Sequence, residues 1–253
     1  MGAENNSHNR TAQGACELMR TNDITITAYP KSGITYLGFL LTAARAKANG
    51  LKILPTFFNI DWLLIDSHKM AGSEYAHIWN DGMGDFIKTH GGWLDVPSVV
   101  YLLRNPYDTL RSYFHFERQQ GKKLSIEQFL EAQIPQWLGH VKSWLIDNRS
   151  VSQSIFLVEY EKLNAETVQE LARQLGFEWT ITDYSAETMR GAERSFATYN
   201  PVYRRFQLEF VRPGKTREVE GFEEYRTLIE SRCAEVYARA RGIECPNVTV
   251  ASR

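Results

Sequence analysis

The chain has 253 residues, 43% of them hydrophobic and 23% charged. These are the proportions of an ordinary globular protein, and the length suits one large α/β domain or two small ones. Lys and Arg total 29 against 30 Asp and Glu, a net charge of −1, which excludes a nucleic-acid binder acting through bulk charge and requires any anion site to be a local basic cluster.

Residues 1–21 are polar and are expected to form a flexible tail ahead of a single domain over 22–253. The opening MGAENNSHNR has no apolar core, so no secretory leader is expected. Asn6 occupies the position where a myristoylation pattern needs Ser or Thr. The apolar stretch from Tyr36 to Ala44 is too short to span a bilayer, so the chain reads as soluble. Cys16, Cys233 and Cys245 include no C-x-x-C pair, which argues against a disulfide framework or a structural zinc and fits a reducing cytoplasm. Asn148-Arg-Ser and Asn247-Val-Thr match a glycosylation pattern, expected to be chance without a leader.

The run Ile24-Thr-Ile-Thr-Ala-Tyr29 is β-branched and alternating, and predicts a strand. Pro30-Lys-Ser-Gly33 breaks it. Helical apolar spacing follows from Ile34 and stops at Asn49-Gly50. A second strand is expected near 52–58 and a helix near 60–70. Asp85–His90 predicts a short strand. Ser98–Arg104 is a continuous apolar run, as in a strand buried on both faces, and Asn105-Pro106 opens a helix to about Arg118. Residues 125–148 predict a helix, Ser154–Tyr160 a buried strand, 164–175 a helix, and Phe222–Arg241 a last helix. Strands alternating with helices predict an α/β fold, with a central parallel β-sheet flanked by helices on both faces. Ligands of such sheets lie beyond the carboxyl ends of the strands. Pro30–Thr35, His90, Arg104 and Tyr160 all fall there.

The segment Tyr29-Pro-Lys-Ser-Gly-Ile-Thr-Tyr36 joins a strand to a helix N-terminus, whose unpaired N–H groups suit a phosphate or sulfate. Gly33 permits close backbone approach. Lys31 adds charge, and Ser32 and Thr35 add hydroxyls. The alternative is a plain turn with a helix cap. The loop lacks the G-x-x-x-x-G-K-[ST] spacing of nucleoside triphosphatases.

These residues resemble the 5′-phosphosulfate loop of cytosolic-type sulfotransferases, usually YPKSGTTW. Leu103-Arg-Asn-Pro-Tyr-Asp-Thr-Leu-Arg-Ser112 resembles that family's 3′-phosphate segment, and Lys88-Thr-His90 its Lys-Thr-His element. Tyr160-Glu-Lys-Leu163 is similar to Tyr-Glu-Asp-Leu. Ser195-Phe196 resembles a nucleotide-contact segment, and Phe210-Val-Arg-Pro-Gly214 the Arg-Lys-Gly element that closes on the 3′-phosphate. The elements keep the family's order from residue 29 to 214. The resemblance implies a P-loop-like sulfotransferase fold, 3′-phosphoadenosine 5′-phosphosulfate (PAPS) as donor, a small-molecule acceptor and no metal.

By that resemblance Lys31, Ser32, Gly33, Ile34, Thr35 and Tyr36 hold the 5′-phosphosulfate. Arg104, Ser112 and Arg212 hold the 3′-phosphate, with Phe210 and Gly214 beside them. Tyr36, Tyr160 and Phe196 surround adenine next to Ser195. Lys31 faces the leaving oxygen, His90 is the base, and Lys88 touches the sulfuryl oxygens. Lys88 and His90 point to one side if Phe86–His90 is extended. Trp93 and Phe114 are candidate acceptor contacts because each neighbours a motif. Relative to the family, Ile34 in place of Thr loses a hydroxyl donor, Tyr36 in place of Trp still stacks but with less area, Pro213 in place of Lys leaves Arg212 as the side-chain charge there, and Gly91-Gly92-Trp93 replaces the usual Leu-Pro after His90.

The other histidines, His8, His68, His77, His115 and His140, are expected to be ordinary surface or core residues. A small-molecule or nucleotide kinase is the rival enzyme. It would want Gly-Lys-Ser/Thr and a carboxylate ending the second buried strand, whereas here that strand ends in Arg104. A nucleotide-binding module without catalysis is the non-enzyme alternative. The acceptor's identity and the oligomeric state are not legible.

Overall fold

The structure, a computed structural model, describes residues 22–51, 65–66, 79, 81–148, 153–181, 218–242 and 248–250. Strand β1 (Ile24–Thr27) leads into helix α1 (Ile34–Ala48). Then come β2 (Ile65–Asp66), β3 (Phe86–Thr89), β4 (Ser98–Leu103) and α2 (Pro106–Gln119). Helix α3 (Ile126–Lys142) continues into a π turn over Ser143–Asp147. Strand β5 (Ser154–Glu159) ends in a 3₁₀ turn over Tyr160–Lys162 and is followed by α4 (Ala165–Gln174). A 3₁₀ turn at Phe222–Tyr225 opens α5 (Arg226–Arg241), and β6 (Val248–Val250) comes last.

The sheet order is β2-β3-β1-β4-β5-β6, and every pairing is parallel. Side chains of β4 sort by parity. Val100 and Leu102 join one core with Ile26, α1 and α4, while Val99, Tyr101 and Leu103 join the other with α2, α3 and α5. Helices therefore cover both faces, as the strand–helix alternation implies. Alternation in β1 does not mark a solvent face: Thr25 and Thr27 are as buried as Ile24 and Ile26, because β1 lies inside the sheet. Helix α5 meets its core through Ile229, Cys233, Val236 and Ala240, a helical spacing.

Two expectations change. The helix expected over 60–70 is broken by β2, whose Ile65 pairs with Ile87 of β3. A short apolar run reads equally as strand or helix until a neighbour decides. The expected helix over 125–148 loses α geometry after Lys142, where the hydrogen-bond ladder widens to the π turn. Strand β6 has no counterpart in the sequence reading, and the strand expected at 52–58 lies outside the described residues.

β1 sits where the sheet's connections diverge, with β3 on one side and β4 on the other. Thr27 pairs with both Thr89 and Tyr101, and Leu103 pairs with Glu159. The residues that follow β1, β3, β4 and β5 therefore share one edge, at the switch point where such sheets bind ligands.

Candidate active site

The loop between β1 and α1 is held in a demanding conformation. Lys31 has φ 69° and Gly33 φ 98°, and a non-glycine residue in that region is uncommon and costs energy. A Cβ on Gly33 would run into the Tyr160 ring, so glycine is required there by space as well as by φ. Gly33 caps α1 without any side-chain hydrogen bond. The first amides of a helix have no intrahelical partner and carry the positive end of its dipole, which makes this turn a cradle for an anion. Within it Ser32, Ile34 and Tyr36 are buried and Thr35 is partly exposed. Tyr36 and Ile34 belong to the core shared with α4.

Two strand ends brace the loop. Arg104, 7% exposed just after β4, donates from Nη1 to the Lys31 carbonyl at 2.9 Å, and its guanidinium lies 4.2 Å from the Tyr160 ring centre. Tyr160 opens the 3₁₀ turn after β5. Glu161 in the same turn accepts from the Asn105 amide at 2.8 Å, and Asn105 caps α2 through its side chain. The Lys31 ammonium stands 4.7 Å from the Phe116 ring centre. Burial first, then the nearby Arg104 charge, lower it to about 8. Two cations close together favour the loss of one proton. Ser112 is partly exposed on α2.

His90 lies one residue past β3, so strand alternation alone does not aim it. Its Nδ1 is 2.7 Å from the carbonyl oxygen of Ala28. A carbonyl only accepts, so Nδ1 carries the proton and Nε2 the lone pair, the form a general base needs. Lys88, two residues earlier, is partly exposed and pairs in register with Ile26.

Trp93 is half-buried and donates to Gln153 at 3.4 Å. Phe114 is 1% exposed and packs against Phe129 and Phe222. That is a core position, packed against α3 and the 3₁₀ turn before α5. Ser195, Phe196, Phe210, Arg212 and Gly214 lie outside the described residues. The sequence reading missed Phe116, Glu161 and Trp144. Phe116 follows Ser112 by one helical turn, a spacing that would have found it. Glu161 lies inside the Tyr160–Leu163 motif, which marked the segment but not its bond to Asn105, and nothing local marks Trp144, whose partner Gly91 is distant in sequence. Among the described residues no group of three or more His, Cys, Asp or Glu is placed to hold a metal, and no helix is long and apolar enough to cross a membrane.

The chain is 25% identical to human sulfotransferase 2B1 over 173 residues, which cover 63% of this chain and 47% of the human protein. It is 24% identical to rat sulfotransferase 1E1 over 177 residues, 62% of this chain and 59% of the rat protein, and 27% identical to zebrafish (Danio rerio) cytosolic sulfotransferase 1 over 182 residues, 62% and 59%. The chain thus spans about half to three-fifths of these relatives. Its fold is similar to that of retinol dehydratase, solved with retinol and PAP, at a TM-score of 0.55 and 15% identity over 94% of this chain and 87% of that one. The mouse sulfotransferase SULT7A1, solved with PAP, matches at 0.51 and 20% identity over 92% and 89%. Residues 21–199 match the sulfotransferase domain model, and the chain belongs to that family.

Proposed function

We propose that the chain is a sulfotransferase that moves the sulfuryl group of PAPS to a hydroxyl or amine of a small acceptor, leaving adenosine 3′,5′-bisphosphate (PAP). The hydrogen bond from His90 Nδ1 to Ala28 carries the reading. It leaves a basic Nε2 at the sheet edge that also presents Lys31 and the first turn of α1. Retinol dehydratase, solved with retinol and with androsterone, supports a small organic acceptor.

His90 Nε2 takes the acceptor's proton as the acceptor's oxygen or nitrogen attacks sulfur. The bond from sulfur to the bridging oxygen breaks, and its electron pair stays on the phosphate. Sulfuryl transfer, like phosphoryl transfer, builds charge on that oxygen in a loose transition state. Lys31 supplies the positive charge there, and Lys88 touches the sulfuryl oxygens. The loop from Ser32 through Gly33, Ile34, Thr35 and Tyr36 holds the 5′-phosphate with its amides. Arg104, Ser112 and Arg212 hold the 3′-phosphate beside Phe210 and Gly214, and Tyr160 and Phe196 flank adenine next to Ser195. These side chains supply the charge that a kinase takes from Mg²⁺, so a chelator leaves the rate intact. The compartment proposed is the cytoplasm.

His90→Ala tests the base. Turnover across a panel of phenols, alcohols and amines should fall by roughly 10²–10⁴, while the heat of PAP binding is unchanged. Near-normal turnover would remove His90 from the mechanism.

A further inference from the structure

The segment that carries His90 is pinned from a direction the family motifs do not describe. Trp144 is completely buried, and its indole N–H donates to the Gly91 carbonyl at 3.0 Å, across 53 residues of sequence. The Gly91 amide donates to Thr89 Oγ1, also at 3.0 Å. With the His90 ring bonded to Ala28, both sides of the residue are tied down within two positions.

Trp144 reaches Gly91 from the π turn that interrupts the end of α3. Such a π turn is rare and is frequently found at functional sites. His140, one turn earlier on the same helix, lies 6.4 Å from the Trp144 ring and bonds the Tyr101 hydroxyl at 2.9 Å. Burial, and next the nearby His90, push His140 down to about 3. It therefore stays neutral and adds no charge behind the base.

We infer that Trp144 is a positioning residue for His90: the π turn aims its indole N–H at Gly91 and so fixes where Nε2 meets the acceptor. The inference rests on His90 being the base. A base displaced by a fraction of an ångström still leaves the donor bound, but it loses alignment with the proton it must take.

The test compares wild type with two variants at position 144, alone and in a His90→Ala background, using the acceptor that wild type uses fastest. Trp144→Phe removes the donor, and benzothienylalanine at position 144 replaces the N–H by sulfur at nearly the same shape. Both should lower kcat by roughly 10-fold to 100-fold with unchanged PAP affinity and KM for PAPS. In a His90→Ala background neither change should lower the residual rate further. Wild-type kcat in either folded variant would overturn the inference, as would an equal drop in the His90→Ala background. Should Trp144→Phe not fold, the benzothienyl variant decides alone. A His90→Ala protein that turns over normally would instead sink the base assignment, a result distinct from a silent Trp144 variant.

Discussion

A cation stands near each end of helix α1, and the two ends handle charge in opposite ways. At the C-terminal end Arg45 is fully buried and bonds Asp81 through two nitrogens, at 2.8 and 2.7 Å. Asn49 adds a third bond to that carboxylate, and the guanidinium lies 4.6 Å from the Trp79 ring centre. The hydrogen bond from Arg45 is the main cause that holds Asp81 down to about 2. At the N-terminal end Lys31 has its pKa lowered, sits at positive φ, and neighbours a second cation, Arg104. One end is a finished ion pair and contributes to the fold. The other holds a non-glycine residue at positive φ beside a second cation, at some cost to stability.

Breaking the finished pair should have the largest effect on stability. Asp81→Asn leaves Arg45 buried beside a neutral amide and should cost about 3–5 kcal/mol in urea unfolding, with PAP affinity of the folded protein unchanged. The pH dependence follows the same pair. The carboxyl is lowered in the folded state, so its contribution is complete above its ordinary value of 3.8 and fades as pH falls toward about 2. In Asp81→Asn that acid limb should flatten. A loss below about 1 kcal/mol would reduce the pair to a surface bridge.

At the other end the order should reverse. Arg104→Ala should weaken PAP binding by about 1.5–3 kcal/mol and alter unfolding less than that. A larger change in unfolding than in binding would make Arg104 a prop for the Lys31 carbonyl and no more.

The smallest effect is a proton count. Lys31 is lowered to about 8 in the ligand-free protein, and an anion beside it restores the charged form. PAP binding should then take up a fraction of one proton above pH 8 and none near pH 6. Calorimetry in buffers of different ionisation heat measures this, and Lys31→Met should remove it. Uptake that survives Lys31→Met would place the proton on another group.

Much of this site was legible because its parts are local. The strand before Pro30, the turn through Gly33 and the helix after it lie in one short segment, and glycine at φ 98° is required by backbone sterics. The apolar run of β4 and the Asn105-Pro106 start of α2 were legible for the same reason. The break at β2 and the π turn after Lys142 were not, because the first depends on pairing with β3 and the second on contacts with another element.

The sequence by itself determined the order of β1, α1, β3, β4, α2, β5, α4 and α5, the residue types at each strand end, and the turn that opens α1. These follow from hydrophobic period and backbone sterics, which act over a few residues. Only the tertiary structure decided that Ala28 fixes the His90 tautomer, that Tyr160 closes over Gly33, that Phe114 packs inward and that Trp144 holds Gly91. Those contacts join residues far apart in the chain, and sheet register and helix packing set which of them meet.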